Sequence, residues 1–382
     1  MLGLEQPKTQ TLCNIFKIFS IFLILSSCNI NPSEGKSNDA ATNDELGKSS
    51  ISNKDAWYVN SRTIQGNAQG TTFILKTSDD SLFVSPAEVS EFFRSFDLEL
   101  STYKKNSLIS KLNDNRIKNI DLKKTKYFNT AYTLSNQVAR HTDGGFDPTV
   151  FPLVKAWGFF NDLDDSPSQH KIDSILHFVG FIDSSAFKLS DGSNLTKIDE
   201  RSKLDFNAIA QGQSVDELAT ILQERGQQNY FIEVGGEIKA KGVNDRNTDW
   251  VIGIDQPTEE NDGVNSKRKI ENLIEINNNA LATSGSYRKY YVKNGQKYSH
   301  TINPKTGHPV QHNLLSVTVI NESAALADAY ATAFMTMGVD ASLKFVREHE
   351  DLNIDVYLLF ENESGRIERA FSEGMNAYFQ NP

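Results

Sequence analysis

Cysteine is almost absent from this sequence. The chain has 382 residues, and its two cysteines, Cys13 and Cys28, both lie close to the N-terminus. The rest of the chain therefore cannot form a disulfide, bind zinc through cysteine or use a cysteine nucleophile. This cysteine usage is compatible with export.

Positive charge is also scarce. Lys and Arg number 39 against 49 Asp and Glu, which gives a formal net charge of -10. This balance argues against a polyanion such as nucleic acid as the main partner. A small phosphorylated ligand stays open, because a metal ion and backbone amides can hold phosphate without a basic surface. The length allows a large core in one domain or two closely joined halves.

The N-terminus lacks an apolar run long enough to span a bilayer. Ile18–Leu25 follows Lys8 and Lys17 and is too short for a transmembrane helix. It ends in Leu25-Ser-Ser-Cys28, which resembles the lipobox of bacterial lipoproteins, where the cysteine is acylated and becomes the mature N-terminus. We predict a signal peptide over 1–27 and a lipid anchor at Cys28 in the periplasm-facing bacterial cell envelope. An ordinary secretion signal with an incidental cysteine is the alternative.

The segment that follows is polar. Residues 28–54 are mostly Ser, Asn, Asp, Glu, Lys and Gly, and they carry too little apolar surface to offset the entropy lost on ordering. We predict a flexible tether over 28–54. One folded domain is predicted over 55–382, beginning near Trp57.

Strand and helix patterns are interspersed in this domain without a regular period. β-Forming runs and apolar residues at helical spacing distinguish the two kinds of element. Strands are predicted at 71–77, 230–234, 250–254, 314–320 and 354–360, and helices around 89–96, 128–139, 215–222 and 324–337. No GxGxxG follows a strand, so we predict an α+β fold and not a dinucleotide-binding doubly wound sheet. The polar stretch 255–269 is predicted to be a surface loop.

Two segments near the C-terminus favour metal-assisted chemistry. His300 lies in a loop that Pro304 and Gly307 constrain, and histidine can act as a general base near neutral pH. Asp328 and Thr332 lie four residues apart in a predicted helix, so they share one face and offer oxygen ligands to a hard cation such as Mg²⁺. In the alternative interpretation, His300 is an ordinary loop residue, Asp328 caps a helix and Thr332 is a small core residue.

Several upstream turns are candidate ligand contacts. The segment 144–159 is either a simple turn or a rigid wall on which Phe146 or Trp157 stacks against a flat ring. Asp205 is either a helix cap or an acceptor for a ring or ribose donor. The glycine-bearing turns at 235–236 and 283–287 can bring backbone close to a phosphate.

Taken in order, these motifs resemble the FAD:protein FMN transferase family, the ApbE-like flavin transferases. The succession is Gly70-Thr-Thr, Ser101-Thr-Tyr103, Gly145-Phe-Asp-Pro-Thr149, Asp205…Gly212, Val234-Gly-Gly-Glu237, Thr283–Tyr287, His300–Gly307 and Asp328…Thr332. The resemblance covers roughly Trp57 to the C-terminus. It implies a two-lobed α+β protein with mixed or antiparallel sheets and FAD in a cleft between the lobes. It also implies transfer of FMN from FAD to a Thr or Ser hydroxyl of a target protein, with release of AMP.

The resemblance also implies roles for individual residues. Asp328, Thr332 and the backbone carbonyl of Ala208 would bind Mg²⁺, with Mn²⁺ as the alternative metal, and Ala325 would lie near the metal. His300 would be the catalytic base. The implied FAD contacts are Gln69, Tyr103, Gly144, Gly145, Phe146, Asp205, Gln211 and Thr301.

Two residues depart from the family pattern. Gln69 stands where the family usually has Met, which alters a flavin contact, and Asn303 stands where the loop often has Asp. Asn303 removes a charge near His300 but keeps the capacity for hydrogen bonding. Two alternative functions stay open: a metal-dependent FAD pyrophosphatase that yields FMN and AMP, and a non-enzymatic flavin-binding lipoprotein.

Overall fold

The computed structural model describes residues 57–158, 166–182, 186–258, 269–286 and 301–380, and the backbone of 290–293 and 296–299. The predicted signal peptide and tether, Cys28 and His300 lie outside the described residues. Within the described ranges, no helix combines the length and the apolar character needed to cross a bilayer.

The described chain forms sixteen strands and eight α-helices. The strands are β1 Tyr58–Asn60, β2 Thr63–Ala68, β3 Thr71–Lys76, β4 Asn119–Asp121, β5 Phe187–Ser190, β6 Asn194–Lys197, β7 Tyr230–Val234, β8 Glu237–Lys241, β9 Trp250–Asp255, β10 Ile270–Ile276, β11 Asn279–Gly285, β12 Tyr290–Lys293, β13 Gln296–Ser299, β14 Leu314–Asn321, β15 Asp355–Glu361 and β16 Ile367–Phe371. The helices are α1 Pro86–Leu100, α2 Leu108–Asn113, α3 Tyr127–His141, α4 Phe151–Ala156, α5 Gln169–Leu176, α6 Asn207–Glu224, α7 Ala324–Met337 and α8 Val339–Glu348.

A nine-stranded sheet forms the centre of the described structure. Its order is β1-β2-β3-β7-β8-β11-β14-β15-β16, and every neighbouring pair is antiparallel. Smaller antiparallel sheets pair β4-β6-β5, β9-β10 and β12-β13. The predicted α+β class with antiparallel sheets is confirmed. The division into two lobes stays a prediction.

The middle of the central sheet is buried on both faces, which explains why strands such as β7 and β14 read as continuous apolar runs. Side chains alternate across a strand, so Tyr230 and Ile232 of β7 face the core shared with the helices, and Phe231 faces the other core. That second core lies under the β9–β10 pair and includes Trp250 and Met375.

Most predicted elements are confirmed, and the differences have local causes. The strand β16, which follows the predicted strand at 354–360, was not predicted. Helix α6 begins at Asn207, several residues before the apolar periodicity becomes visible. Gly226 follows its C-cap with φ +83°, as the predicted helix end requires. Of the predicted loop at 255–269, residues 259–268 lie outside the described ranges.

Candidate active site

Helices α6 and α7 cross with their backbones in close contact. A Cβ on Gly212 would lie 2.2 Å from the carbonyl oxygen of Ala324 and 2.9 Å from the Cα of Ala325. Only glycine allows this approach. The N-terminal turn of α6 is thereby held against the first turns of α7.

Asp328 lies at this crossing. Its side chain is 6% exposed, and Oδ2 accepts a hydrogen bond of 3.2 Å from the backbone N–H of Gly212. Burial raises the pKa of Asp328 to about 7, and the Gly212 hydrogen bond offsets this only in part. A buried carboxyl group with so little compensation is suited to receiving a cation.

Helix α6 is kinked beside Asp328. Ala208 has non-helical angles, φ -86° and ψ 17°. Four residues later, the N–H of Gly212, which in a regular helix points at the Ala208 carbonyl, donates a hydrogen bond to Asp328 Oδ2. This local departure fits the predicted use of the Ala208 carbonyl as a ligand.

Thr332 lies one turn after Asp328 on α7, so the two share a helix face as predicted. The Thr332 hydroxyl is 3.4 Å from the Ser284 hydroxyl at the end of β11. So long a contact leaves the Thr332 oxygen available to another partner.

Ala325 has a different environment. It is 1% exposed, and its N–H donates to Asp216 Oδ2 over 3.0 Å. Asp216 also accepts from the Ser323 hydroxyl and pairs with Lys239 Nζ, each over 2.7 Å. These contacts favour a role for Ala325 in starting and packing α7 over direct metal contact.

The glycine turn before α4 follows α3 and is hydrogen-bonded to α7. Gly144 has φ +78°, and the Gly145 carbonyl accepts from the Thr336 hydroxyl of α7 over 2.8 Å. Phe146 is 2% exposed and Trp157 is 7% exposed, and the Trp157 indole N–H donates to the Gly307 carbonyl over 2.7 Å. Both rings are packed inside the protein, so the structure favours a simple turn over a wall on which a flat ring would stack. In this turn, the backbone groups are the ones that a ligand could contact.

Tyr103 and Asp205 lie on neighbouring segments, because the Asn207 amide donates through Nδ2 to the Thr102 hydroxyl over 3.4 Å. Tyr103 is 74% exposed, and desolvation of its hydroxyl, followed by the charge of Asp205, raises its pKa. Asp205 is half-buried, and burial raises its pKa to about 6, although Oδ1 accepts from the Asn207 N–H over 2.8 Å. An exposed ring thus lies near a partly desolvated carboxyl group.

The side chains of Gln69 and Gln211 lie close to the N-terminal part of α6, to which Gln211 itself belongs. Gln69 adopts φ +52° in the β2–β3 turn, and its Oε1 lies 3.2 Å from the Ser214 hydroxyl. Its Nε2 is buried without a hydrogen-bond partner among the residues that the structure describes. A Cβ on Gly235 would lie 2.5 Å from the side-chain Nε2 of Gln211, so this amide packs on the β7–β8 turn.

The loop after His300 is closed by Asn303. Its Oδ1 accepts from the N–H groups of Lys305 and Thr306 over 2.9 and 3.3 Å. Asparagine and aspartate can both make this turn, which explains how the loop tolerates Asn303. Lys305 Nζ contacts Asp143 Oδ2 at 2.5 Å and so joins the loop to the glycine turn. Thr301 is half-buried at the start of the loop.

Comparisons with known proteins identify the family of this chain. The ApbE family model matches residues 69–358. The chain belongs to the ApbE family. An FAD:protein FMN transferase of Haemophilus influenzae is 31% identical over 317 residues, covering 81% of this chain and 89% of that protein. Another, of Escherichia coli K12, is 33% identical over 265 residues, covering 69% and 73%.

Solved structures of the family share the fold. The flavin transferase ApbE of Vibrio cholerae aligns with a TM-score of 0.70 and 28% identity, covering 84% of this chain and 99% of that one. The apo flavinyl transferase ApbE of Pseudomonas stutzeri aligns with a TM-score of 0.71 and 25% identity, covering 87% and 100%. The predicted family and the predicted transferase class are thereby confirmed.

Within this ApbE-family fold, the structure brings Ala208, Asp328 and Thr332 to one helix crossing and Tyr103 and Asp205 to one neighbourhood. No three His, Cys, Asp or Glu side chains converge on a point in the described part of the chain. A metal at the crossing would therefore depend on Asp328 and neutral oxygens. The assignment of individual residues to metal or FAD stays a prediction.

Sequence reasoning missed four residues that shape this neighbourhood. Asp216 organises the start of α7, Thr336 holds the glycine turn, and Asn113 binds the backbone before Asp205. Their partners lie far away in sequence, so no local pattern marks them. Ser284 lies in β11, because residues 283–285 of the predicted glycine-bearing turn at 283–287 form the end of that strand; only the backbone of this segment had been considered.

Proposed function

We propose that this chain is an FAD:protein FMN transferase that moves FMN from FAD to a threonine or serine hydroxyl of a target protein, with release of AMP. One observation carries the proposal. In a member of the ApbE family, the buried Asp328 carboxyl lies at the α6–α7 crossing beside the Ala208 kink and the Thr332 hydroxyl. These are the residue types and positions that the family resemblance implies for a metal site.

The residues at the crossing fit Mg²⁺. Asp328 would supply the one anionic oxygen, and Thr332 and the Ala208 carbonyl would supply neutral oxygens, the ligand set that hard cations prefer. When bound there, Mg²⁺ would neutralise charge on the FAD pyrophosphate. The remaining work of the protein is positioning, which dominates phosphoryl transfer.

The backbone turn at 144–146, together with Tyr103, Asp205, Gln69, Gln211 and Thr301, would orient FAD. The acceptor hydroxyl oxygen attacks the FMN phosphorus, the bond from this phosphorus to the bridging oxygen breaks, and AMP leaves with that oxygen. His300 would take the proton of the attacking hydroxyl. Its assignment rests on the sequence motif.

The cell-envelope location belongs to the same proposal. The lipobox-like Leu25-Ser-Ser-Cys28 supports acylation of Cys28 and attachment to a membrane, with residues 28–54 as a tether to a domain over 55–382. The acceptor would then be a protein exposed on the same side of that membrane.

The test incubates the 55–382 domain with FAD, MgCl₂ and a threonine-bearing acceptor peptide. We expect in-gel flavin fluorescence, a peptide mass increased by one FMN unit and an equal amount of AMP. A peptide with valine in place of threonine is the control. Free FMN and AMP without labelled peptide would instead identify an FAD pyrophosphatase, and FAD binding without AMP would exclude both enzymes.

A further inference from the structure

Helix α2 connects the loop that carries the exposed Tyr103 ring with the segment that carries the half-buried Asp205 carboxyl group. This six-residue helix runs from Leu108 to Asn113. Its N-terminal end adjoins the loop that carries Tyr103, and its C-terminal end touches the segment that carries Asp205. A short rigid helix between two such segments can set the spacing between them.

The N-terminal end of α2 anchors the Tyr103 loop. The hydroxyl of Ser107, the N-cap, donates to the Ser101 carbonyl over 2.6 Å and accepts from the Ser110 N–H over 3.1 Å. The Ser110 hydroxyl donates to the same Ser101 carbonyl over 3.2 Å. The loop is therefore tied to the first turn of α2 although Tyr103 itself is exposed.

The C-terminal end of α2 holds the backbone next to Asp205. The Asn113 amide donates through Nδ2 to the Leu204 carbonyl over 2.7 Å and accepts through Oδ1 from the Leu204 N–H over 2.8 Å. This pair reproduces with one side chain the two hydrogen bonds that a neighbouring strand would form. The N–H of Asp205 donates to the Pro148 carbonyl over 2.7 Å, so the backbone is held on two sides.

A buried lysine keeps this end of α2 in place. Lys197 is 3% exposed, and its Nζ donates to the carbonyls of Leu112 and Asn113 over 3.1 and 3.3 Å. A cation suits the carbonyl end of a helix. Burial lowers the pKa of Lys197 to about 8, so the ammonium form predominates at neutral pH.

We infer that Asn113 is a positioning residue that holds Asp205 at the correct distance from Tyr103 to receive a hydrogen-bond donor of the bound FAD. This inference rests on the proposed function and names a residue outside the predicted contact set. Asn113 acts through Asp205: without its amide, the Leu204–Asp205 backbone loses two hydrogen bonds, and the carboxylate is no longer fixed. Ligand affinity falls, while the phosphoryl-transfer step at the α6–α7 crossing is retained.

The test is a double-mutant cycle on FAD affinity with the 55–382 domain, using quenching of flavin fluorescence in MgCl₂ without acceptor. We expect Asn113→Ala to raise the Kd for FAD about tenfold, in line with two lost hydrogen bonds, with kcat at saturating FAD within about twofold of wild type. Asp205→Ala raises the Kd at least as much. The double variant matches Asp205→Ala, because the two residues act as one unit.

Asn119→Ala is the matched control. Its amide oxygen accepts from the Thr196 hydroxyl over 2.8 Å, a contact between β4 and β6, so the Kd for FAD stays at the wild-type value. Asn113→Asp repeats the cycle if the alanine variant fails to fold, because it keeps the volume and the Oδ1 acceptor and loses the donor to Leu204.

Four results would overturn the inference. An unchanged Kd for both Asn113 variants would show that the amide does not position Asp205. If the Kd changes of the two single variants multiply in the double variant, or if Asn119→Ala raises the Kd as much as Asn113→Ala, Asn113 gives only general structural support. Wild-type protein that binds no FAD would refute the proposed function as well, whereas the first three results leave that function standing.

Discussion

At the scale of single residues, Asp328 has the clearest physical consequence. Its pKa of about 7 lies above the ordinary value of 3.8 because burial disfavours the charged form. The folded chain therefore binds more protons than the unfolded chain between these two pH values. This group's contribution to stability is complete below about pH 4 and is lost as the pH rises through 7.

We predict that the melting temperature of the metal-free domain falls between pH 5 and pH 8, and that Mg²⁺ raises it more at pH 8 than at pH 5. Below pH 7, the Kd for Mg²⁺ should fall about tenfold for each unit by which the pH rises, because Mg²⁺ binding displaces the Asp328 proton. Asp328→Asn should abolish both the Mg²⁺ shift and flavin transfer in a folded protein. The control Asp340→Asn removes an exposed carboxylate of α8 and should keep the wild-type profile. Calorimetry at several pH values measures these changes, and a pH-independent Mg²⁺ affinity would contradict them.

At the scale of elements, the α6–α7 crossing depends on Gly212. We predict that Gly212→Ala lowers the free energy of unfolding by about 1–3 kcal/mol and weakens Mg²⁺ binding, because the new methyl group meets the Ala324 backbone and separates the helices. Urea unfolding and Mg²⁺ titration provide the measurements. In the control Gly253→Ala, the new methyl meets the side chain of Ile270, with Cδ1 nearest at 3.2 Å, and the atoms nearest to it include no backbone, so the effect is smaller. Equal losses of stability and Mg²⁺ affinity in the two variants would contradict the prediction that the α6–α7 crossing depends on Gly212.

The Asn303 turn gives a prediction for the loop that follows His300. Asn303→Asp preserves the acceptor for the N–H groups of Lys305 and Thr306, so stability and flavin transfer are retained. Its new charge should shift the acid limb of the pH–rate profile to higher pH if His300 is the base, since a nearby carboxylate favours the imidazolium form. Asn303→Ala leaves both N–H groups without this acceptor and should reduce activity. An acid limb identical in wild type and Asn303→Asp would count against His300.

At the scale of the whole molecule, the described fold begins at Trp57. Its ring packs against Phe73 with centroids 4.8 Å apart and covers Gly66, so the residue just before β1 packs on the core through β2 and β3. We predict that a chain of residues 55–382 keeps the melting temperature and FAD affinity of a chain beginning at residue 29. A chain beginning at residue 71 loses Trp57 and the buried Ile64 and should unfold at a lower temperature. A 55–382 chain that aggregates would disprove the predicted boundary.

The N-terminal region gives a separate prediction. Cys28→Ser should move the protein from the membrane fraction to the soluble fraction of the cell envelope, with unchanged flavin transfer per molecule, because the anchor lies outside the folded domain. The anchor at Cys28 is itself part of the proposed function, and mass spectrometry of the wild-type N-terminus should detect acylated Cys28 if the proposal holds. An unmodified N-terminus would favour the ordinary secretion signal.

Local patterns in the sequence determined much of this protein. Apolar periodicity predicted α1, α3 and α7, β-forming runs predicted β3, β7, β9 and β14, and the i, i+4 spacing put Asp328 and Thr332 on one helix face. These features depend on neighbours within one turn or one strand, so they can be read from the chain. The order of the motifs was enough to identify the family.

Only the tertiary structure decided the details of the site. The kink at Ala208 lies beside the N–H of Gly212, which donates to Asp328, more than a hundred residues later in the chain. Phe146 and Trp157 are in the interior because helix and loop partners cover them, although their turn looked like a ligand wall. Asn113 acquires its role only when folding brings Leu204 beside it. Long-range contacts of this kind leave no local signature, since each depends on how distant elements pack.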